Sequence, residues 1–157
     1  MTDNDIASMF GMNTPLHVKL LSETAQMPTR GSRGSAGYDL YADITDSVVI
    51  YPHETIKIPT GIAIALPQNT YGAIYARSGL ATKHGIAPAN KVGVIDQDYR
   101  GEIIVALHNH SNTPYTLYPV DRIAQLLVCP YVPVELAQVD ELDATERAAG
   151  GFGSTGV

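Results

Sequence analysis

Residues 54–66 read ETIKIPTGIAIAL, and this stretch decides the fold class. Ile56 and Ile58 alternate with polar neighbours, and after a Pro-Thr-Gly turn Ile62 and Ile64 again point to one common face. Apolar residues that recur with a period of two are typical of half-buried β-strands. The sequence therefore predicts many short strands separated by turns, with further apolar repeats at residues 71–75, 103–107 and 123–128.

The composition is that of one globular domain. The chain has 157 residues, of which 45% are hydrophobic and 17% are charged. Its net charge of −6 argues against direct binding to nucleic acid or to an anionic membrane. No stretch is long and apolar enough to cross a membrane, and the first fifteen residues contain no lysine or arginine. We therefore expect a cytoplasmic protein, in which any anionic ligand needs locally clustered arginines or a metal.

The predicted architecture is a single all-β domain, a barrel or jelly roll, with one short helix. The helix is expected at residues 78–84, with Ser78 capping its start and Gly85 ending it. The domain is expected to span residues 15–139. A loose extension precedes it at residues 1–14, and a polar, glycine-rich arm follows it at residues 140–157.

The end of the arm is the least ordinary segment of the sequence. Taken alone, an unstructured terminus is the simpler interpretation. Phe152 argues against it, because a disordered tail gains nothing from a phenylalanine. Glycines beside Ser154 and Thr155 would let N–H groups and hydroxyls converge on phosphate oxygens, and Arg147 would add a charged contact. The pattern favours a tail that closes over a nucleotide, with Phe152 stacked on the base.

A second candidate is the junction at residues 75–80, where Arg77 ends a predicted strand and Ser78 starts the predicted helix. The unpaired N–H groups and positive end of a helix would face the same space as the guanidinium, which describes an anion site. A capped turn beside a surface arginine explains the pattern equally well.

A third candidate is the segment at residues 93–102, GVIDQDYRGE, which predicts a β-hairpin with a polar turn. Turns are generally polar, so its Asp96 and Asp98 need no special explanation. Tyr99, a large aromatic residue among turn residues, does need one. A carboxylate beside an aromatic ring suits a sugar and an activated water.

Two more stretches are weak on their own, AGYDL at residues 36–40 and DRIAQ at residues 121–125. In the second, Asp121 and Arg122 fit a surface ion pair of little energetic value. His108 and His110 share a strand face, but no third ligand at metal-site spacing accompanies them, so no metal site is predicted there.

Taken together and in order, these five stretches resemble the trimeric dUTPase family over about residues 16–156. The resemblance implies a homotrimer of jelly-roll-like β-barrels whose active sites are shared between subunits. It also implies hydrolysis of dUTP to dUMP and pyrophosphate with Mg²⁺, which limits dUTP and supplies dUMP for dTMP synthesis.

On the nucleoside side, the resemblance implies that Asp96 holds the 3′-hydroxyl and activates the attacking water. Tyr99 would lie beneath the deoxyribose. The slot would exclude cytosine by leaving buried polar groups unpaired and thymine by lacking room for a methyl group. The residues implied to bind uracil, several of them through their backbone, are Asn90, Gly93, Val94, Ile95 and Ile104.

On the phosphate side, Asp39 matches an acid that stands near the metal through water, with Mg²⁺ held mainly by the substrate phosphates. Arg77, Ser78, Gly79 and Gln125 match phosphate contacts. The residues that match the family's mobile tail, which caps a site on neighbouring subunits, are Arg147, Phe152, Gly153, Ser154 and Thr155.

The sequence departs from the family pattern at Val120, where glycine is usual, and at Lys91 and Val92. The nearest enzymatic alternative is a dCTP deaminase, which needs a glutamate at the position of Ala106, where this chain has no acid. An alternative of another class is a scaffold that contacts a regulatory protein. No long insertion lies between Gln125 and Arg147 to provide an extra surface for such a partner.

Overall fold

The computed structural model describes residues 15–151, so the predicted extension at residues 1–14 and the tail residues Phe152, Gly153, Ser154 and Thr155 lie outside it. Within that range the chain forms eleven strands and one helix, α1 (Ser78–His84). The strands are β1 (His17–Leu20), β2 (Tyr38–Tyr41), β3 (Val48–Ile50), β4 (Thr55–Pro59), β5 (Ile62–Ala65), β6 (Thr70–Tyr75), β7 (Ile86–Pro88), β8 (Gly93–Ile95), β9 (Ile104–Asn109), β10 (Tyr115–Leu117) and β11 (Arg122–Pro130).

The strands pair in antiparallel fashion and form four small sheets. The largest has the order β2-β11-β6-β8, and a second has the order β4-β9-β7. Two further pairs, β1-β5 and β10-β3, complete the described fold. The prediction of a mostly β, jelly-roll-like domain with one short helix is confirmed. Hydrogen bonding among residues 15–151 leaves the sheets open and does not close them into a barrel.

The core is formed by the apolar face of each alternating strand. Ile58 and Ile62 are each 1% exposed, and Ile103 and Leu107 are fully buried. Ile104, between two buried neighbours, is 50% exposed because successive side chains on a strand point to opposite faces. The predicted alternation at residues 103–107 is thus confirmed. It leaves Ile104 exposed beside the segment at residues 93–102.

The helix occupies the predicted residues, but the capping prediction for Ser78 is wrong. The residue that caps the N-terminus is Arg77, whose backbone is extended and whose side chain forms no capping hydrogen bond. Ser78 is already the first helical residue. Gly85 ends the helix with a left-handed backbone, φ 70°, which glycine adopts at little cost, and this part of the prediction is confirmed.

The predicted hairpin at residues 93–102 is also wrong as a pairing of two strands. β8 pairs with β6, whereas β9 pairs with β4 and β7 in another sheet. One backbone hydrogen bond and one hydrogen bond to a side chain hold the crossing segment. The amide of Ile103 donates to the Ile62 carbonyl at 2.9 Å, and the amide of Gly61 donates to the Glu102 carboxylate at 2.8 Å. The segment between β8 and β9 therefore spans the gap between two sheets.

Residues 131–151 contain no strand or helix and are almost entirely exposed. Leu136 is 98% exposed and Val132 is 77% exposed, so this arm buries little of its apolar surface within its own chain. Among residues 15–151, no helix combines the length and apolarity that a membrane span needs.

Candidate active site

The pairing of β11 brings three separate stretches of sequence into one row. Gln125 lies directly opposite Asp39 of β2 on one side and opposite Tyr75 of β6 on the other. Residues opposite each other in neighbouring strands present their side chains on the same face of the sheet. The chain leaves β6 at Tyr75, so Arg77 emerges at the end of this row.

Asp39 joins two arginines. Its carboxylate accepts from Arg77 Nε at 2.9 Å through one oxygen and from Arg122 Nη1 at 3.2 Å through the other. Arg77 also donates from Nη1 to the Arg122 carbonyl at 3.3 Å. Asp39 is only 15% exposed, whereas Arg122 is 51% exposed. The carboxylate thus fixes both guanidinium groups while part of each remains open to a ligand.

The position of Gln125 depends on the glycine that precedes Tyr38. A β-carbon at Gly37 would stand 2.8 Å from the Gln125 side-chain oxygen and 3.1 Å from a Leu127 methyl group. The amide nitrogen of Gln125 donates to the Ala76 carbonyl at 2.8 Å, which aims its oxygen toward Gly37. Glycine in AGYDL is therefore explained by the close approach of β2 to β11.

These residues line one concave surface, which we call the cationic pocket. Its volume is about 650 Å³. Three cationic side chains line it against a single carboxylate, on a chain whose net charge is −6. Such a concentration of positive charge is the arrangement that binds polyanions. The lining residues that carry the argument are Asp39, Arg77, Lys91, Arg122 and Gln125.

A second concavity, which we call the β8–β9 slot, has a volume of about 340 Å³. It is lined by Val94, Ile95, Asp96, Tyr99, Glu102 and Ile104. β8 is the edge strand of its sheet, and β9 pairs with β7 only from Leu107 onward. The outward backbone groups of both segments therefore have no strand partner within residues 15–151 and are available to a ligand.

The slot also exposes large apolar groups. Val94 is 62% exposed and Tyr99 is 44% exposed. The Tyr99 hydroxyl donates to the Glu102 carbonyl at 3.0 Å, and its amide donates to the Asp96 carbonyl at 3.1 Å. The ring is thereby held across the turn beside the Asp96 carboxylate. An apolar surface with one fixed ring and one carboxylate is typical of a small-molecule site.

Asp96 also borders a third cavity of about 700 Å³ on its other side. Tyr71, Gln97 and Tyr131 contribute to this cavity. The Gln97 side-chain oxygen accepts from the Asn69 amide at 3.0 Å, which ties the turn after Asp96 to the loop before β6. The carboxylate of Asp96 is exposed to both cavities and belongs to no ion pair among the described residues.

The remaining predicted residues do not all join these surfaces in the single chain. Ser78 and Gly79 lie exposed at the start of α1, next to Arg77. Asn90 lies exposed before β8, its amide nitrogen 3.4 Å from where a β-carbon on Gly93 would stand. Arg147 donates to the Gly150 carbonyl at 2.9 Å within the arm.

Sequence reasoning underestimated Arg122. The Asp121–Arg122 pair expected on the surface does not form, because Asp121 accepts from the Tyr118 amide at 2.8 Å and Arg122 pairs with Asp39. The spacing of Arg122 and Gln125 gave no signal, because residues three apart on a regular strand face opposite sides, and the register shift between Arg122 and Ala124 changes this. Glu102 was also missed, and its role is to anchor the Gly61 amide.

The side chains fit an outer-sphere role for magnesium. Among residues 15–151, no group of three or more His, Cys, Asp or Glu side chains is placed to hold a metal ion. Asp39 is the single carboxylate among the lining residues of the cationic pocket. Each of its oxygens receives one arginine hydrogen bond and keeps a second lone pair, which a metal-bound water could use. Mg²⁺ usually keeps several of its waters, so this donor set suits it.

Comparison with known proteins identifies the family of the chain. The family described as dUTPase matches residues 23–156. The chain is 47% identical over 144 residues to the deoxyuridine 5'-triphosphate nucleotidohydrolase of Polynucleobacter asymbioticus, which covers 90% of this chain and 97% of that protein.

Two solved structures are also similar. One is the dUTPase of Staphylococcus bacteriophage 80alpha with dUpNHpp, at 31% identity and a TM-score of 0.83, covering 92% of this chain and 99% of that one. The other is a variant dUTPase from phage phi11 of S. aureus, described with a structural Mg(II) ion, at 28% identity and a TM-score of 0.76. It covers 83% of this chain and 100% of that one. The family match, the relatives and the shared fold agree, and the chain belongs to the dUTPase family.

Proposed function

We propose that this chain hydrolyses dUTP to dUMP and pyrophosphate, binding the nucleoside in the β8–β9 slot and the triphosphate in the cationic pocket. The observation that carries the assignment of residues is the presence of two concave surfaces with complementary chemistry. The β8–β9 slot is apolar, is bordered by backbone groups that have no strand partner within residues 15–151, and contains Asp96. The cationic pocket is lined by three cationic side chains and by Asp39. A nucleoside triphosphate has one half suited to each.

Asp96 is the proposed general base. It accepts a proton from water as the water oxygen forms a bond to the α-phosphorus. The bond from the α-phosphorus to the bridging oxygen breaks, and pyrophosphate leaves with that oxygen. Asp96 suits this role because its carboxylate is exposed in the slot and has no cationic partner that would compete for it among residues 15–151.

Arg77 and Gln125 are the proposed phosphate ligands, with Ser78 and Gly79 beside them. The guanidinium of Arg77 is held by Asp39 before substrate arrives, so little reorganisation accompanies binding. Bound Mg²⁺ supplies further positive charge to the triphosphate, and Asp39 would hold it through water. Arg147 and the tail residues Phe152 to Thr155 are proposed to close over the substrate.

Uracil is the proposed base because the slot offers main-chain groups of Val94, Ile95 and Ile104 at two strand edges. Fixed main-chain donors and acceptors reject cytosine, in which the corresponding groups are exchanged. Asn90 is proposed to add a side-chain contact. Tyr99 is proposed to lie beneath the deoxyribose and to leave no room for a 2′-hydroxyl.

A homotrimer is the proposed assembly, with each site assembled from more than one chain. The cationic pocket and the β8–β9 slot share no lining residue within one chain. The exposed apolar residues of the arm, Leu136 above all, suit a segment that packs on another subunit. The arm would then carry Arg147 and the tail to a neighbouring site.

Pyrophosphate release from dUTP, UTP, dCTP and dTTP in the presence of Mg²⁺ tests this function. We expect dUTP to be turned over with a kcat/KM at least about 100-fold above that of the other three. A chain truncated before Gly150 should lose most of its activity. Release of ammonia from dCTP, or a truncated chain as fast as the full one, would contradict the proposal.

A further inference from the structure

We infer that Lys91 is an additional ligand of the substrate's triphosphate. The inference rests on the proposed function and extends it, because it adds a residue to the cationic pocket that neither the anion-site pattern nor the family resemblance assigned. Lys91 lies in the loop between β7 and β8, one residue after Asn90, and it lines the same pocket as Arg77 and Arg122.

The backbone at Lys91 has an unusual conformation that is fixed by hydrogen bonds. Its φ is 66°, in the left-handed region that residues with a β-carbon rarely adopt. Two backbone hydrogen bonds enclose it: the Lys91 amide donates to the Pro88 carbonyl at 3.1 Å, and the Val92 amide donates to the Asn90 carbonyl at 2.7 Å. A lysine that is kept in a costly conformation beside a ligand pocket is more consistent with a role in that pocket than with a solvent-facing turn.

The charge balance of the pocket points the same way. Both oxygens of Asp39 are already engaged by Arg77 and Arg122. Lys91 forms no ion pair with any described residue and is exposed. Its ammonium is therefore available to an incoming anion, without a carboxylate that must first be displaced.

Lys91 lies close enough to His110 for its charge to affect that histidine. The pKa of His110 is lowered from its ordinary value, first by desolvation and then by the charges of His108, Lys91 and His53. Further protonation is thus disfavoured near Lys91. Lysine acts on phosphate as a point charge, so a phosphate group is a suitable ligand for Lys91.

The affinities of Lys91 variants for dUpNHpp, a non-hydrolysable triphosphate, and for dUMP test whether Lys91 contacts the phosphates that dUMP lacks. Lys91→Met removes the charge and keeps the length of the chain. We expect it to weaken dUpNHpp binding with Mg²⁺ by about 3- to 10-fold, while dUMP binding stays within about twofold. The KM for dUTP should rise by a similar factor with little change in kcat. Lys57→Met, at an exposed lysine on β4, is the charge-matched control and should leave both affinities unchanged.

Two further variants separate charge from backbone strain. Lys91→Arg should retain most of the dUpNHpp affinity, whereas Lys91→Gly should relieve the strain at φ 66° and still lose the affinity.

Equal losses of dUMP and dUpNHpp binding, full affinity in Lys91→Gly, or Lys91→Met behaving like the control would each overturn the inference. These outcomes leave the proposed function intact. A wild-type chain that does not hydrolyse dUTP would instead overturn the proposed function itself.

Discussion

The β8–β9 slot and the cationic pocket are formed by different kinds of groups. The slot presents exposed apolar side chains and the unpaired edges of two strands, and its shape follows from where the sheets end. The pocket depends on side chains that already satisfy one another, with Asp39 between two arginines. Under the proposed assignment, selection of the base depends on the fold, whereas binding of the phosphates depends on a few charges.

This difference predicts that substitutions in the two regions have different kinetic signatures. Changes in the slot should alter the rate of chemistry or the choice of base. Changes in the pocket should alter affinity and its dependence on salt, because charge–charge attraction at an open site is screened.

The largest effect is expected from Asp96→Asn in the slot. Loss of the general base should lower kcat by about 100-fold or more and leave substrate binding largely intact. Steady-state kinetics of pyrophosphate release, together with the Kd of dUpNHpp, measure both quantities. Asp98→Asn, two residues away in the same turn, is the control and should retain near-normal turnover. If Asp96→Asn also retains it, Asp96 is not the base.

A smaller but still substantial effect is expected from Arg77→Gln in the pocket. The change removes a fixed cation and leaves Asp39 with only Arg122, so kcat/KM should fall by about 10- to 100-fold. The dependence of KM on salt should become shallower than in the wild-type chain. An unaltered salt dependence would show that Arg77 does not bind the phosphates. It would also contradict the proposed difference between the cationic pocket and the β8–β9 slot.

An effect on stability alone is expected from Val120→Gly, in the turn that leads into Arg122. Val120 has φ 66°, so the valine keeps the left-handed backbone that glycine adopts at little cost. Relief of this strain should raise the free energy of unfolding by about 1 kcal/mol and Tm by about 2–4 °C. Thermal unfolding measures it, with Val49→Gly on β3 as a control that should be destabilising. A lower Tm for Val120→Gly would show that the turn is not strained.

The smallest effect is expected from His110→Gln, near Lys91 of the pocket. The folded-state pKa of His110 lies below 6.5, chiefly through desolvation and then the charges of His108, Lys91 and His53. The unfolded chain therefore binds the proton more readily, and stability falls as the pH drops through and below 6.5. Replacement by Gln should flatten the fall in Tm between about pH 7 and pH 5. The same slope in wild type and variant would contradict this account, and His17→Gln is the matched control.

Much of the fold was predictable because period-two alternation reports burial directly. Ile58, Ile62 and Leu107 lie in the core as expected. The hairpin prediction was wrong because alternation does not specify which strand a segment pairs with. That choice depends on long-range contacts such as the Gly61 amide on Glu102. The prediction that Ser78 caps the helix was wrong because Arg77 is the extended residue that precedes the helix.

The residues of the site were predictable in part from local chemistry. Arg77, Asp96 and Tyr99 could be singled out because their types are unusual where they stand. Asp39 was assigned to the metal alone, and its ion pairs with Arg77 and Arg122 depend on pairing across β11 that no local pattern reveals. Lys91 reaches the pocket from the loop before β8, which pairs with β6, and no local pattern reveals that contact either.

The central claim is that the slot of one chain works with the cationic pocket of another. Mixed trimers of Asp96→Asn and Arg77→Gln chains, carrying different tags and purified after co-expression, test it most directly. If sites are shared, about one in three sites of each mixed trimer recovers both native residues, and activity should return well above either variant alone. Mixed trimers no more active than the sum of the two variants would contradict the claim and confine each site to a single chain.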